Sequence, residues 1–154
     1  MREQLETGLR TSGQPVRRGS IAHEHDTYAL LTDAAVQQRD AAALAEYLPR
    51  MRELALRDGH CLYLAIAQRA GAVADRLAGA YESAAAQLQT AAESFERMGM
   101  RWQLAHTLNE KAELSLVRSQ LGESRTYYAQ ALSLLDQLGA GPAAKQVRAR
   151  HDDL

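Results

Sequence analysis

The densest group of side chains that could do chemistry is His23-Glu24-His25-Asp26, which carries two imidazoles and two carboxylates. A helix places residues i and i+2 about 200° apart around its axis, so the two imidazoles cannot easily face one ion. Zinc would also need further ligands at a matching distance. We therefore expect the solvated start of a helix here and no bound metal.

Two other positions carry residues typical of nucleophilic or acid–base chemistry. Cys61 follows His60 at a predicted helix start, where the helix dipole would stabilise a thiolate. His106 could accept a proton, but no nucleophile with an orienting partner accompanies it. Because the chain has no second cysteine, we expect Cys61 to be a half-buried structural residue. An enzyme that uses His106 or the His23 group is a disfavoured alternative from another class of function, and no cofactor is expected.

The glycines do not form a phosphate-binding loop. No Gly-x-x-x-x-Gly-Lys-Ser/Thr motif occurs, and Gly71 and Gly79 lie in no Gly-x-Gly-x-x-Gly pattern after a strand. Gly71 is expected instead to let two helices pack closely.

Composition excludes several classes of protein. The chain has 154 residues, with 18 Lys+Arg against 19 Asp+Glu, and this balance disfavours binding to nucleic acid. No apolar run approaches the roughly 20 residues that a membrane-spanning helix needs. A single cysteine excludes an internal disulfide, and the first residues, Met-Arg-Glu-Gln, lack the apolar stretch of a secretory signal. These features predict a cytoplasmic protein, and abundant alanine with few aromatic residues favours helix over sheet.

The glycines also mark an internal repeat. Gly59, Gly99 and Gly139 are each 40 residues apart, and each follows an apolar-periodic stretch, where a helix C-terminal glycine belongs. A second row of breaks falls near residues 39–40, 79–80 and 119–120. We predict a tail or extra helix over residues 1–20, then a repeat domain over 21–154. The repeats span about 21–59, 60–99 and 100–139, and a closing helix spans 142–151.

Stacking the repeats aligns small and apolar residues in columns 4 and 3 residues apart, which is one face of a helix. The columns are Leu44, Ala84 and Ser124; Leu48, Leu88 and Tyr128; and Met51, Ala91 and Ala131. Seven helices are predicted, over about 22–38, 41–57, 60–77, 81–98, 101–118, 121–138 and 142–151. Pro49 is expected to bend or restart the second helix, and Pro142 fits the first turn of the last. Short breaks predict antiparallel neighbours, hence an all-α solenoid of stacked hairpins.

These residues resemble the tetratricopeptide repeat family, whose second helix carries small, bulky and small residues at spacings of 4 and 3. Ala84, Leu88 and Ala91 match that pattern, as do Ser124, Tyr128 and Ala131, while Ala72 and Ala112 match the small position of the first helix. The resemblance covers roughly residues 24–150 and implies a short right-handed solenoid. The first repeat departs from the pattern, with Leu44 and Met51 in small positions, and Gln68 and Tyr28 fit poorly.

A 40-residue period is longer than the usual period of about 34. Longer repeats of this kind are similar to the sensor arms of large ATP-binding bacterial transcription regulators, and the runs over 91–99 and 131–139 look like theirs. Neither the nucleotide-binding motif of those regulators nor a helix-turn-helix after the final helix occurs in this sequence.

In the related repeats, the first helices line a concave surface that binds a partner. The resemblance places Asp26, Ala29, Asp33 and Val36 of the first repeat there, followed by Ile66, Arg69, Val73 and Arg76 of the second, and His106, Asn109, Glu113 and Leu116 of the third. Two arginines beside Asn109 and His106 could hold a carboxylate through charge-assisted hydrogen bonds.

We therefore expect a non-catalytic protein–protein interaction scaffold that binds a peptide or partner helix on this surface. The alternative is a regulatory sensor domain that binds a small effector between repeats.

Four further residues are candidates for interfaces. Trp102 is interpreted as capping the hairpin joint between helices, with an interface as the alternative. Tyr127 is interpreted as the more exposed ring of its tyrosine pair. Leu30 and Leu31 belong to a terminal helix whose apolar surface needs a cover. Either residues 1–20 or a second copy could supply that cover, and we predict a homodimer through the N-terminal repeat.

Overall fold

The computed structural model describes residues 20–153, with side chains from residue 24 onward. Residues in this range form seven helices and no strand, so the all-α prediction is confirmed. The helices are α1 (Ser20–Gln38), α2 (Ala41–Arg57), α3 (Cys61–Leu77), α4 (Tyr81–Arg97), α5 (Arg101–Val117), α6 (Leu121–Gln137) and α7 (Gly141–Asp152). The predicted tail over 1–20 lies almost wholly outside the described residues.

All six turns between helices use the same hydrogen-bonding pattern. At the end of α2, the Gly59 N–H donates to the Leu56 carbonyl and the His60 N–H donates to the Ala55 carbonyl. This pair of bonds is the Schellman motif, which needs one residue at positive φ. That residue is Arg39, Gly59, Gly79, Gly99, Ser119 or Gly139, with φ between 55° and 80°. The two predicted rows of breaks therefore coincide with the observed turns.

The regular turns explain the 40-residue period. Five successive helices have 17 residues each, and three residues separate each helix from the next. The residue after each positive-φ position is at once the end of the Schellman motif and the N-cap of the next helix. Asp40 alone among these caps uses its side chain, which accepts from the Ala43 N–H at 2.9 Å.

Consecutive helices pack against each other along the whole described chain, and α1 also contacts α3, which contacts α5. The odd-numbered helices therefore form one layer and the even-numbered helices another. All nine residues of the aligned columns are buried, from Leu48 at 8% exposed to Leu44, Ala84, Ala91, Ser124, Tyr128 and Ala131 at 0%. The repeat register read from the sequence is thus the register of the core.

Ala91 illustrates how little room this core leaves. It is fully buried on α4, in the same cluster as Phe95 and residues of α1, α2 and α3. We expect Ala91→Leu to lower the free energy of unfolding by about 1–3 kcal/mol, because extra methyl groups force neighbouring side chains out of their rotamers. Urea denaturation followed by circular dichroism measures this loss, and an unchanged midpoint would show that the site can expand.

Of the two outcomes expected at Pro49, the restart does not occur, because α2 runs unbroken from residue 41 to 57. The expectation of a half-buried Cys61 is wrong, because this residue is exposed. At Gly71, the three nearest atoms that an added Cβ would meet belong to the side-chain ends of Arg52 and Gln87.

The surroundings of Gly71 lead to a counter-intuitive prediction. Gly71→Ala displaces only the Arg52–Gln87 hydrogen bond, whose partners are flexible, while alanine is better than glycine in a helix interior by about 1 kcal/mol. We expect the melting temperature to stay the same or rise slightly. A clear fall in melting temperature, measured beside the wild-type chain, would mean that the helices there cannot adjust.

None of the helices in the described part of the chain combines the length and the apolar character needed to cross a membrane.

Candidate functional site

The odd-numbered helices enclose a groove of about 750 Å³, which is the size of a typical ligand pocket. We call it the groove throughout. Its lining residues are Asp33, Val36, Gln37 and Arg39 near α1; Arg69 on α3; Trp102, Gln103, His106, Asn109 and Glu110 on α5; and Pro142, Ala143, Gln146, Val147, Ala149 and Arg150 on α7. The layer of first helices therefore forms a concave lining, as the repeat pattern implied.

Arg69 crosses the floor of the groove. Its side chain is only 3% exposed, and one guanidinium nitrogen lies 2.7 Å from the Asp33 carboxylate on α1. The other terminal nitrogen donates to the Gln103 side chain at 2.6 Å on α5. Its guanidinium carbon also lies 5.5 Å from the ring centre of Phe95. One side chain thus joins all three repeats, because α1, α3 and α5 each belong to a different one.

A second arginine network closes one wall. Glu110 is 7% exposed and accepts from Arg39 at 2.7 Å and from Arg76 at 3.1 Å. Arg39 lies in the turn after α1, so this contact joins residues 71 positions apart in sequence. Because two guanidinium groups share one carboxylate, the cluster keeps an excess of one positive charge.

Three residues that line the groove each carry a buried polar atom with no hydrogen-bond partner among the described residues. These atoms are Nε of Arg69, Nε2 of His106 and Oδ1 of Asn109. Arg69 and Asn109 are 2% and 9% exposed. An unsatisfied buried polar group costs about 1–3 kcal/mol, so three in one place are unusual in a protein core.

His106 is held neutral at the centre of this floor. Burial lowers the pKa of its imidazole below the usual 6.5, and the charge of Arg69 lowers it further. The carboxylates of Asp33 and Glu110 oppose that shift but do not overcome it. A neutral imidazole keeps one nitrogen as an acceptor, which a protonated ring would not.

The lowered pKa of His106 predicts acid sensitivity. Between the pKa of His106 in the folded chain and its higher pKa in the unfolded chain, the unfolded chain binds more protons than the folded chain. The free energy of unfolding therefore decreases as the pH falls below about 6.5. We expect His106→Gln to lose less stability than wild type between pH about 7.5 and about 5.5. Urea unfolding at both values measures the difference. Equal pH dependence in the two proteins would assign the acid sensitivity to other groups.

Trp102 lies at the edge of the groove, on the first turn of α5. Its ring is 46% exposed, and its centre is 4.6 Å from that of His106 at an interplanar angle of 59°. The exposure of Trp102 leaves open whether it caps the joint between helices, as predicted. The alternative, an interface residue, agrees with its exposure and with its place in the groove lining.

The structure brings only some of the predicted concave residues into the groove. Asp33, Val36, Arg69, His106 and Asn109 line it. Ile66 and Val73 are instead buried in the core, at 3% and 1% exposed, because α3 is covered on several sides by α1, α2, α4 and α5. They cannot offer the apolar stripe that a partner helix would need.

The other residues predicted for the concave surface do not line the groove. Arg76 contacts Glu110 and does not face the groove directly. Glu113 accepts from Arg150 at 2.6 Å and from the Tyr128 hydroxyl at 2.8 Å, and burial together with this bond raises the pKa of Tyr128. Leu116 packs on the third-repeat core. Both arginines expected to hold a carboxylate therefore already have one inside the protein.

Some of the predicted interface residues are exposed and others are buried. Leu31 is 2% exposed and belongs to the core, so it is not available to a partner, whereas Leu30 is 55% exposed. Tyr127 lines a smaller cavity of about 240 Å³ and lies under the Lys111 ammonium, which is 4.5 Å from its ring centre. It is thus partly covered by its own chain.

Sequence reasoning missed Arg39, Glu110 and the whole of α7 as groove residues. Arg39 occupies a positive-φ turn position that holds glycine in four of the other five turns, so the sequence indicates only a turn residue there. Glu110 adjoins Asn109 but lies outside the predicted spacing. A repeated sequence separation could have indicated Glu110. Arg76 and Glu110 are 34 residues apart, and so are Arg69 and Gln103, which also contact each other.

Near the start of α1, the described side chain of His25 contacts groups of its own chain. His25 lies 3.2 Å from the Asp58 carboxylate and stacks on Tyr63, whose ring also contacts His60. Burial and a hydrogen bond to Asp26 raise the pKa of Tyr63 to about 12. In the part of the chain that the structure describes with side chains, no group of three or more His, Cys, Asp or Glu residues could hold a metal. His23 lies outside that part.

Comparison with models of protein families, with curated proteins and with solved structures finds no match to this chain.

Proposed function

We propose that this chain is a non-catalytic sensor module of the tetratricopeptide-like type, which binds a small effector in the groove between its repeats. The observation that carries the proposal is that three residues lining the groove, Arg69, His106 and Asn109, each carry a buried polar atom with no partner among the described residues. The volume of about 750 Å³ supports a small ligand, since such ligands occupy pockets of roughly 300–1,000 Å³.

The arrangement of the helices explains how binding could be sensed. The groove is lined from α1, α3, α5 and α7, so a ligand there contacts every repeat at once. It would add contacts to those that the packing of the helices and the Arg69 and Glu110 networks already supply. Binding is therefore expected to stiffen the solenoid, and a partner that contacts more than one repeat would detect the change.

A second candidate is a protein–protein interaction scaffold, in which a peptide segment of a partner lies in the same groove. The exposed ring of Trp102 favours it, because tryptophan is enriched in binding surfaces. A docked partner helix is the weaker form of this candidate, because Ile66 and Val73 are buried.

Thermal unfolding with a library of small metabolites tests the first candidate. A ligand that binds the folded chain raises the melting temperature according to its concentration and affinity. We expect such ligands to act on wild type and to lose most of their effect on Asn109→Leu, which removes the unsatisfied oxygen. Ligands that raise the melting temperature of both proteins equally would bind elsewhere and overturn the proposal. A peptide library screened in the same way tests the second candidate.

Two further proposals concern the setting of the module. A chain with one cysteine needs no oxidising compartment, which supports a cytoplasmic location. The exposure of Leu30 on α1 supports a homodimer through the N-terminal repeat. Light scattering at high micromolar concentration tests the dimer, and the mass of one chain, 16.9 kDa, would exclude it.

A further inference from the structure

One end of the solenoid carries a row of exposed apolar side chains. The turns after α1, α3 and α5 lie together at this end, because successive packed helices reverse direction at each short turn. Four large apolar residues flank the second and third of these turns, with exposures from 37% at Tyr81 to 52% at Leu121. We call them the apolar edge, and they are Leu77, Tyr81, Val117 and Leu121. Exposed apolar patches on a soluble domain mark interaction sites.

The apolar edge consists of two equivalent pairs, one in the second repeat and one in the third. Leu77 and Val117 are the last residues of α3 and α5. Tyr81 and Leu121 are the first residues of α4 and α6. Equivalent members are one 40-residue period apart, so each pair occupies the same place beside its own turn.

Other turns of the described chain lack this match. The first repeat has Gln37 and Ala41 at the equivalent positions, so the apolar edge ends at the second repeat. At the opposite end of the solenoid, the exposed apolar residues beside the turns include Leu56, Met100 and Leu138. These three occupy three different positions of the 40-residue period, and they do not form equivalent pairs.

An ion pair joins the two halves of the apolar edge. Glu82 follows Tyr81 in sequence, and Arg118 follows Val117. A guanidinium nitrogen of Arg118 lies 2.9 Å from the Glu82 carboxylate, so the second and third turns are neighbours in space. The Glu82 side chain is 87% exposed and that of Arg118 is 29% exposed, so both can make further contacts. Because the two charges balance, the edge lacks the excess of cations that an anionic lipid surface or a nucleic acid attracts.

A second copy of the chain matches this surface by symmetry. A two-fold axis through the middle of the apolar edge places each apolar pair of one copy on the other pair of the second copy, since both copies have the same spacing. The same axis places the Glu82 carboxylate of each copy beside the Arg118 guanidinium of the other. The four charges then alternate in sign, which favours this arrangement over other registers. An unrelated partner would have to reproduce both the spacing and the order of charges.

We propose that two copies of this chain associate through the apolar edge, around a two-fold axis between the second and third repeats. This surface differs from that of Leu30 on α1, and none of its residues lines the groove. A stable interface buries roughly 800 Å² per partner, and four side chains supply only part of that area. The association is therefore weak and depends on concentration. Together with pairing through the N-terminal repeat, it gives assemblies of more than two chains.

Complementary charge swaps test the proposal. Glu82→Arg places four positive charges near the axis and Arg118→Glu places four negative charges there, so each variant is expected to self-associate about tenfold more weakly than its parent. In an equimolar mixture of the two variants, each arginine again faces a glutamate, and mixed dimers are expected to form. All these chains carry Leu30→Glu, which suppresses association through the N-terminal repeat. Light scattering over a concentration series measures their mass, and circular dichroism verifies that each variant is folded.

Two single substitutions test the apolar contribution in the same Leu30→Glu parent. Leu121→Glu is expected to abolish association, because it buries a carboxylate against apolar side chains. Leu56→Glu is the matched control, since Leu56 is 67% exposed at the opposite end of the solenoid. It should associate as the parent does.

Three results would each overturn the proposal. The first is a monomeric Leu30→Glu parent at high micromolar concentration. The second is no gain in mass when the two charge-swap variants are mixed. The third is an equal effect of Leu56→Glu and Leu121→Glu, which would indicate non-specific association. Because the apolar edge shares no residue with the groove, each of these results would leave the proposed effector site unaffected.

Discussion

Replacing Glu110 with alanine is expected to lower the free energy of unfolding by about 3–5 kcal/mol, the loss typical of a buried ion pair that loses one partner. Glu110 and Arg76 are 7% and 9% exposed, and Arg39 joins them from a turn 71 residues away in sequence. Without the carboxylate, two guanidinium groups remain close together with no counter-charge, and the first and third repeats lose a direct link.

Glu82→Ala is the matched control for this prediction. Glu82 also pairs with an arginine of a neighbouring repeat, Arg118 at 2.9 Å, but its side chain is 87% exposed. Exposed pairs of this kind contribute little to stability. Urea denaturation measures the loss of unfolding free energy in both variants, and the difference between them gives the effect of burying the ion pair. Similar midpoints for Glu110→Ala and Glu82→Ala would show that water reaches Glu110 freely.

Phe95→Ala is expected to cost about 3–5 kcal/mol of unfolding free energy, because it leaves a cavity that the helices cannot close. Phe95 is the single phenylalanine of the chain, is fully buried on α4, and packs in the cluster shared by α1, α2 and α3. Its ring also lies 5.5 Å from the guanidinium carbon of Arg69, so its loss removes a contact beneath the groove floor.

Phe95→Leu provides the comparison, since it removes less volume and should cost clearly less than the alanine variant. Differential scanning calorimetry of both measures the two losses. If the two variants melt at the same temperature, the ring itself contributes no more than an aliphatic side chain at that site. If neither differs from wild type, the cluster around Phe95 is not the core of the middle repeat.

Most of the helix pattern could be read from the sequence because its causes are local. Gly59, Gly99 and Gly139 adopt the positive φ that ends a helix, and this preference needs no tertiary contact. Buried residues recur at spacings of 4 and 3 because one face of each second helix packs inward. The boundaries of all seven helices accordingly fall within two residues of the predicted ones.

The same logic failed where burial depends on how many neighbours a helix has. The resemblance places Ile66 and Val73 on an open surface, but α3 is a central helix with neighbours on several sides. Leu31 was assigned to an exposed end, yet α1 packs on both α2 and α3. Spacing along one helix shows which residues share a face, and only the packing shows what covers that face.

The sequence by itself therefore determined the number of helices, their ends and the register of the repeat, because these follow from backbone preferences and short-range periodicity. The tertiary structure alone decided which polar side chains meet. Arg39 reaches Glu110, and Arg69 reaches both Asp33 and Gln103, only because the odd-numbered helices curve around a common groove. Such contacts join residues 34 to 71 positions apart, and no local preference selects one partner over another at that distance.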